Sequence, residues 1–310
     1  TNGAAPFVYT WTGGSSAIFP TDQDTVNTAI SGSYNLTVTD DVGCTVTGAL
    51  TITEPSAISS ITDSTDVLCF GGNTGTATAT PAGGTPGYTF IWDDLGNQTT
   101  ATATGLAIGT YTVTITDNNG CAMIDSTVVN QPILLTITMD STDALCFAGN
   151  SGTATTTALG GTAPYTFLWD AAANNQTTAT ATGLIAGNYC VTVTDDNGCS
   201  VTDCISINEP TVITAIADST DVLCFGALTG TTTVTPAGGT PGYTFIWSDP
   251  LGQTTATATG LAAGPYTVTI TDLNGCSMTA STVVNQPATA ITVALDSTDI
   301  LCFGGNDLAI

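Results

Sequence analysis

Thiols and carboxylates carry nearly all the chemistry open to this sequence. Ten cysteines and 25 acidic residues stand among 310 positions, with no Lys, Arg or His. Histidine acid–base catalysis, lysine nucleophiles and side-chain salt bridges are therefore excluded. The cysteines form no Cys-x-x-Cys pair and have no histidine beside them, so zinc spacing is missing. Disulfide chemistry in an oxidising compartment is what remains. The carboxylates offer oxygen ligands for a hard cation. Adjacent Asp93 and Asp94 look like a pair for glycoside hydrolysis. Neighbouring strand residues face opposite ways, however, so they cannot converge on one bond. No catalytic residue is expected.

The cysteines keep a period. Cys69, Cys146, Cys224 and Cys302 recur at steps of 77, 78 and 78, and Cys44, Cys121, Cys199 and Cys276 at 77, 78 and 77. Pro55, Pro132, Pro210 and Pro287 keep the same step. A period of about 78 residues with its own turn signals means a row of similar small domains. The expected division is a partial first repeat at 1–55, full repeats at 56–132, 133–210 and 211–287, and the start of a fifth at 288–310. The chain then reads as an excerpt of a longer protein, with export or anchoring signals outside it.

The net charge of −25 repels nucleic acid and anionic membrane surfaces and attracts cations. With 42% hydrophobic residues and a mean hydropathy of +0.29, the chain can still build cores. No apolar run is long enough to span a bilayer, so direct membrane insertion is not expected.

One repeat shows what must position the cysteines. In residues 133–210, runs at 133–139, 153–157, 165–169, 177–182, 189–194 and 200–207 are short and rich in Val, Ile, Thr and aromatics. Turn residues separate them every 8 to 12 positions. The pattern predicts an all-β chain of tandem immunoglobulin- or fibronectin-like sandwiches, about seven strands each, in an elongated row. The Gly-Leu-x-x-Gly-x-Tyr string ending at Tyr111 and Tyr189 resembles the tyrosine corner of such folds. Trp11, Trp92, Trp169 and Trp247 read as core anchors.

Hairpin geometry decides one cysteine pair. A three-residue loop Asp196-Asn197-Gly198, with Gly in the left-handed position, sets Asp195 opposite Cys199 and hence Cys190 opposite Cys204. That pair is non-hydrogen-bonded and close enough to bridge. The periodic cysteines leave three frames open. Pairing within a repeat joins Cys69 to Cys121 and Cys146 to Cys199, although those loops lie at opposite ends of a sandwich. Pairing across head-to-tail junctions joins Cys69 to Cys199 and Cys146 to Cys276, and the partner of Cys224 stays unresolved. Pairing of sequence neighbours joins Cys121 to Cys146 and folds the chain back at Pro132.

The tetrad Asp-Ser-Thr-Asp recurs at 63–66, 140–143, 218–221 and 296–299. One reading is a solvated polar kink. Another is calcium, the one cofactor suggested, held by Asp63, Asp66, Asp140, Asp143, Asp218 and Asp221 with help from a nearby hairpin.

Three strings carry a family resemblance. They are Leu68-Cys69-Phe70-Gly71-Gly72-Asn73, then Gly83-Gly84-Thr85-Pro86-Gly87-Tyr88-Thr89-Phe90-Ile91-Trp92, then the stretch from Gly105 through Tyr111 to Cys121. Together they closely resemble the SprB-type repeat of large surface adhesins in gliding and other Bacteroidota. The first repeat is looser: 23 residues separate Trp11 from Tyr34, against 19 from Trp92 to Tyr111, with an insert at 20–30. The resemblance implies type IX secretion and an extracellular, cell-surface location. It also implies O-glycosylation at Asp-Ser/Thr sequons, which Ser64, Ser141, Ser219, Ser297, Ser126 and Thr25 fit. The expected function is a structural stalk or filament segment of an adhesin, serving gliding or attachment. Its expected partners are neighbouring repeats, surface glycans or other copies of the filament. The alternatives are a carbohydrate-binding array on a secreted polysaccharide-degrading enzyme and a sheath or surface-layer subunit.

Overall fold

Threonine alternating with valine, isoleucine or alanine dictates the elements. β-Branched residues favour extended backbone, and a period of two sends alternate side chains to one face. The computed structural model describes residues 3–13 and 30–295. The chain divides into two compact units, Thr1–Pro132 and Ile133–Ile310.

The first unit opens with β1 (Val8–Gly13), β2 (Gly32–Thr39) and β3 (Thr45–Ile52), one antiparallel sheet in that order. The second repeat follows as β4 (Ser59–Thr65), β5 (Gly75–Ala82), β6 (Thr89–Trp92), β7 (Thr102–Leu106), β8 (Gly109–Thr116) and β9 (Ala122–Val129). These make two three-stranded sheets, ordered β4-β5-β7 and β6-β8-β9. The second unit repeats that plan twice. The third repeat has β10 (Thr136–Thr142), β11 (Gly152–Leu159), β12 (Thr166–Trp169), β13 (Thr180–Leu184), β14 (Gly187–Thr194) and β15 (Ser200–Ile207). The fourth has β16 (Thr214–Thr220), β17 (Gly230–Ala237), β18 (Thr244–Trp247), β19 (Thr257–Leu261), β20 (Gly264–Thr271) and β21 (Ser277–Val284). Sheet orders are β10-β11-β13 and β12-β14-β15, then β16-β17-β19 and β18-β20-β21.

Each full repeat therefore has six strands, not the expected seven. A glutamine explains the difference. The Gln98 side chain donates from Nε2 to Thr104 O at 2.9 Å and accepts from Thr104 N–H at 3.0 Å. It thus does along the open edge of β7 what another strand's backbone would do. Gln176 serves Thr182 in the same way, and Gln253 serves Thr259.

The core lies between the two sheets. In the second repeat Trp92, Val113, Ile115 and Val129 are fully buried, and the facing positions on β5 and β7 are Ala77, Ala79 and Ala103. Small residues there leave room for the indole, whose Nε1 donates to Thr100 O at 2.9 Å. Trp169 and Trp247 occupy the same place and donate to Thr178 O and Thr255 O. The tyrosine corner recurs in every repeat. Tyr34 Oη donates to Ile30 O, Tyr111 to Ala107 O, Tyr189 to Ile185 O and Tyr266 to Ala262 O, at 2.6 to 3.1 Å.

The Asp-Ser-Thr stretch is not the polar kink expected from sequence. It runs on as the last part of β4, β10 and β16, with only the final Asp at the turn. Hydroxyls make this possible by bridging the two sheets where no ladder joins them. Thr62 Oγ1 donates to Ser126 O at 3.0 Å and Ser64 Oγ to Val128 O at 2.7 Å.

A stapled junction between successive repeats

In the second unit the third and fourth repeats meet at residues 208–213, the only chain between β15 and β16. The cysteine loop after β10 is built first. Cys146 O accepts from Gly149 N–H at 2.9 Å, and Ser151 Oγ accepts from Leu145 N–H at 2.8 Å. Ala148 takes a positive φ of 54°, and its N–H donates to Glu209 Oε2 at 2.5 Å. The residue before Pro210 thus clamps the loop to the linker.

The second Asp of the tetrad clamps it again. Asp143 Oδ1 accepts from Asn208 N–H at 2.8 Å, and Asn208 O accepts from Ala144 N–H at 2.9 Å. Asp66 with Asn130 and Asp221 with Asn285 repeat this arrangement at 2.8 Å. Asp63, Asp140 and Asp218 instead stand exposed on the outer faces of their strands. The six calcium candidates are thus split between a sheet face and a turn. Among the described residues, no group of three or more potential metal ligands comes together.

The opposing hairpin lies between β20 and β21. Asp272 organises it and is 5% exposed. Its Oδ1 accepts from Asn274 and Cys276 N–H groups at 3.0 and 2.9 Å, and its Oδ2 from Thr240 N–H at 2.8 Å. Burial is the largest influence on this carboxyl and acts to raise its pKa. The three N–H donors outweigh it and hold the pKa below the ordinary carboxylate value. Asp117 has the same cage, and there the Thr85 N–H is the leading cause of a lowered pKa. Gly239 makes the close approach possible. At its φ of +58°, a Cβ would lie 2.6 Å from Ile213 Cγ1 and 2.8 Å from Asp272 Oδ2.

Loop and hairpin are covalently joined. Cys146 and Cys276 form a disulfide with Cα atoms 5.6 Å apart and a sequence separation of 130. Asn274 Nδ2 donates across the junction to Leu145 O at 3.0 Å. A cleft of about 230 Å³ remains beside the bond, lined by the linker, Phe147, Asp272 and Met278.

This fixes the pairing frame here and corrects two readings. Cys146 bonds neither Cys199, as the within-repeat frame required, nor Cys121, as the fold-back frame required. Cys121 is an exposed free thiol, so Cys69 does not pair with it either. The physical reason is polarity: the first loop and last hairpin of a sandwich sit at opposite ends, so each meets a neighbour instead. Cys69 and Cys199 are both disulfide-bonded. Cys190 and Cys204 bond as the hairpin register requires, directly opposite with Cα atoms 4.0 Å apart. The Gly that sets that register, Gly198, has φ +83°.

The remaining candidates are separated. Ser64 and Ser219 donate their hydroxyls into the sheet seam, to Val128 O and Val283 O, whereas Ser126 is exposed. Ser141 is half-buried on β10. Thr25, Ser297, Cys302 and most of the 20–30 insert lie outside the described residues. Asp93 accepts from Thr112 N–H while Asp94 caps its own loop through Gly96 and Gln98. These two carboxylates are thus committed to backbone. The clamping roles of Glu209 and Asn274 were not foreseen. Their one signal in sequence is a fixed place beside Pro and before Gly-Cys.

Three segments, 61–97, 138–174 and 216–252, match the SprB repeat. Each match begins in the first strand of a repeat and takes in the cysteine loop and the core tryptophan. No curated protein matches the chain. Among solved structures, Sidekick-1 immunoglobulin domains 1–5 is 11% identical, with a TM-score of 0.34. It covers 83% of this chain, which spans 66% of that one. The N-terminal eight immunoglobulin domains of Down Syndrome Cell Adhesion Molecule are 11% identical, with a TM-score of 0.27, covering 90% of this chain and 56% of that one. No helix among the described residues is long and apolar enough to cross a membrane.

Proposed function

We infer that the SprB repeats form a tension-bearing stalk segment of a secreted cell-surface adhesin. The observation that carries this is the disulfide joining the first loop of one repeat to the last hairpin of the next. Tension entering along β10 reaches Cys146, crosses to Cys276 and leaves along β21. The 129 residues between the two cysteines, which include both tryptophan cores, lie in a closed covalent loop outside that path. A pull on the ends therefore loads β10 and β21 but not the strands between the two cysteines that carry Trp169 and Trp247.

Disulfides of this kind suit an oxidising exterior. The SprB match supports export and a surface location, with gliding or attachment as the use. Antibody raised against the 310-residue chain should label intact cells of the producing organism. Labelling only after lysis would overturn the reading.

A further inference from the structure

The closed junction keeps an apolar cleft that the two repeats do not fill, and a carboxylate lines it. We propose that this cleft seats a lysine side chain from a basic partner protein, with the alkyl stem against the apolar wall and the ammonium on Asp272. The inference goes beyond the stalk reading and stands or falls without it.

The wall is built from three elements of the second unit. Phe147 comes from the cysteine loop, Pro210 and Val212 from the linker and Met278 from β21, around a volume of about 230 Å³. Phe147 is 53% exposed and Val212 50%, although the disulfide beside them is closed. Joining the hairpin to the loop thus leaves both side chains uncovered. They are not spent on holding the two repeats together, and they remain open to a third body.

The charge comes from Asp272, which lines the same cleft. An ionised carboxylate offers about four acceptor positions. The hairpin uses three of them. Two on Oδ1 take the Asn274 and Cys276 N–H groups, and one on Oδ2 takes Thr240 N–H. Oδ2 keeps one position for a further donor. Glu209, on the linker before Pro210, adds a second negative charge. Its Oε2 accepts from the N–H of Ala148, the residue after Phe147.

No side chain of this protein can neutralise either carboxylate, because the chain has no Lys, Arg or His. The net charge of −25 draws cations and turns anions away. The cation must come from another molecule. Lysine meets the need. Its apolar stem packs along Val212 and Met278, one ammonium N–H fills the open position on Oδ2, and the charge gains from the Phe147 ring. Arginine fits less well. Its planar fork matches two acceptor positions on one carboxylate, and Asp272 has one left.

The test uses the oxidised 310-residue chain with carbon-13 in its methionine methyl groups, followed by nuclear magnetic resonance. Met278 reports on the cleft, and Met139, on β10 and outside the cleft, is the control. Nα-acetyl-lysine amide is titrated at about 0.15 M salt, where general attraction to the acidic surface is screened. The Met278 signal should shift to saturation while Met139 stays in place. Nα-acetyl-norleucine amide, with a stem and no charge, should bind about tenfold more weakly, and Nα-acetyl-arginine amide about fivefold more weakly. Phe147→Leu keeps an apolar side chain at an exposed position and should weaken the lysine probe about fivefold. A shift that does not saturate, an equal shift at Met139, norleucine or arginine binding as tightly as lysine, or no effect of Phe147→Leu would each overturn the proposal. None of these outcomes bears on surface labelling, so the stalk reading is tested separately.

Discussion

Removing the Cys146–Cys276 staple should cost more stability than removing Cys190–Cys204, although only the latter lies within one repeat. In the chain-entropy view a disulfide acts by closing a loop in the unfolded chain. Its effect grows with the logarithm of loop length. The separations are 130 and 14 residues. The relation −2.1 − 1.5R ln n then gives about 5 kcal/mol for the junction and about 3 kcal/mol for the hairpin at 25 °C. If the fourth repeat unfolds while the third stays folded, the loop that matters runs from the linker to Cys276. The junction value then falls to about 4 kcal/mol by the same relation. Paired Cys→Ser chains, Cys146 with Cys276 and Cys190 with Cys204, should be unfolded in urea under otherwise identical conditions. The junction variant should lose about 1–2 kcal/mol more than the hairpin variant. An equal or smaller loss would mean that the staple does not restrain the unfolded chain, and the reasoning would fail.

Three further outcomes follow from single sites. Thr156 is 3% exposed and its Oγ1 has no partner, where the second and fourth repeats have Ala79 and Val234; Thr156→Val should raise stability by about 1–2 kcal/mol in thermal unfolding, and a loss would show that the hydroxyl is bonded. Asp117 and Asp272 have lowered pKa values, so the stability they give is complete above their unfolded value near 3.9 and is lost as pH falls through the lower folded values. At about 0.15 M salt, where repulsion among the 25 acidic residues is screened, the unfolding midpoint should be flat from about pH 8 to 5 and drop below about pH 4; a rise on acidification would contradict the hairpin cages. If sugars are added after folding, glycopeptide mapping of native protein should find them on exposed Ser126 and not on Ser64 or Ser219, whose hydroxyls close the sheet seam.

Local rules made the Cys190–Cys204 bond legible. Alternation and a left-handed Gly198 leave one register for that hairpin, and the disulfide follows from it. The tyrosine corner and the tryptophan anchors were legible for a similar reason, because each is set by a few neighbouring residues. The frame of the periodic cysteines was not legible. It depends on which ends of two sandwiches meet, and a period of 78 residues says nothing of that. The Asp-Ser-Thr stretch misled because its residues favour turns in isolation. In the fold Thr62 and Ser64 find carbonyl partners on β9, and the strand continues. Gln98 concealed the strand count for the same reason: its work is done by a side chain reaching backbone six residues away.

The central claim is that the staple routes tension around the chain between Cys146 and Cys276. Single-molecule stretching of the 310-residue chain from its two ends tests it most directly. With Cys146 bonded to Cys276, a separation of 130 residues is held out of the extended length. At about 3.3–3.6 Å per residue, reduction of a Cys69→Ser chain should add about 450 Å to the fully extended contour. The chain with Cys69→Ser and Cys146→Ser should show a longer contour before any reductant is added. Oxidised and reduced chains reaching the same extended length would contradict the account.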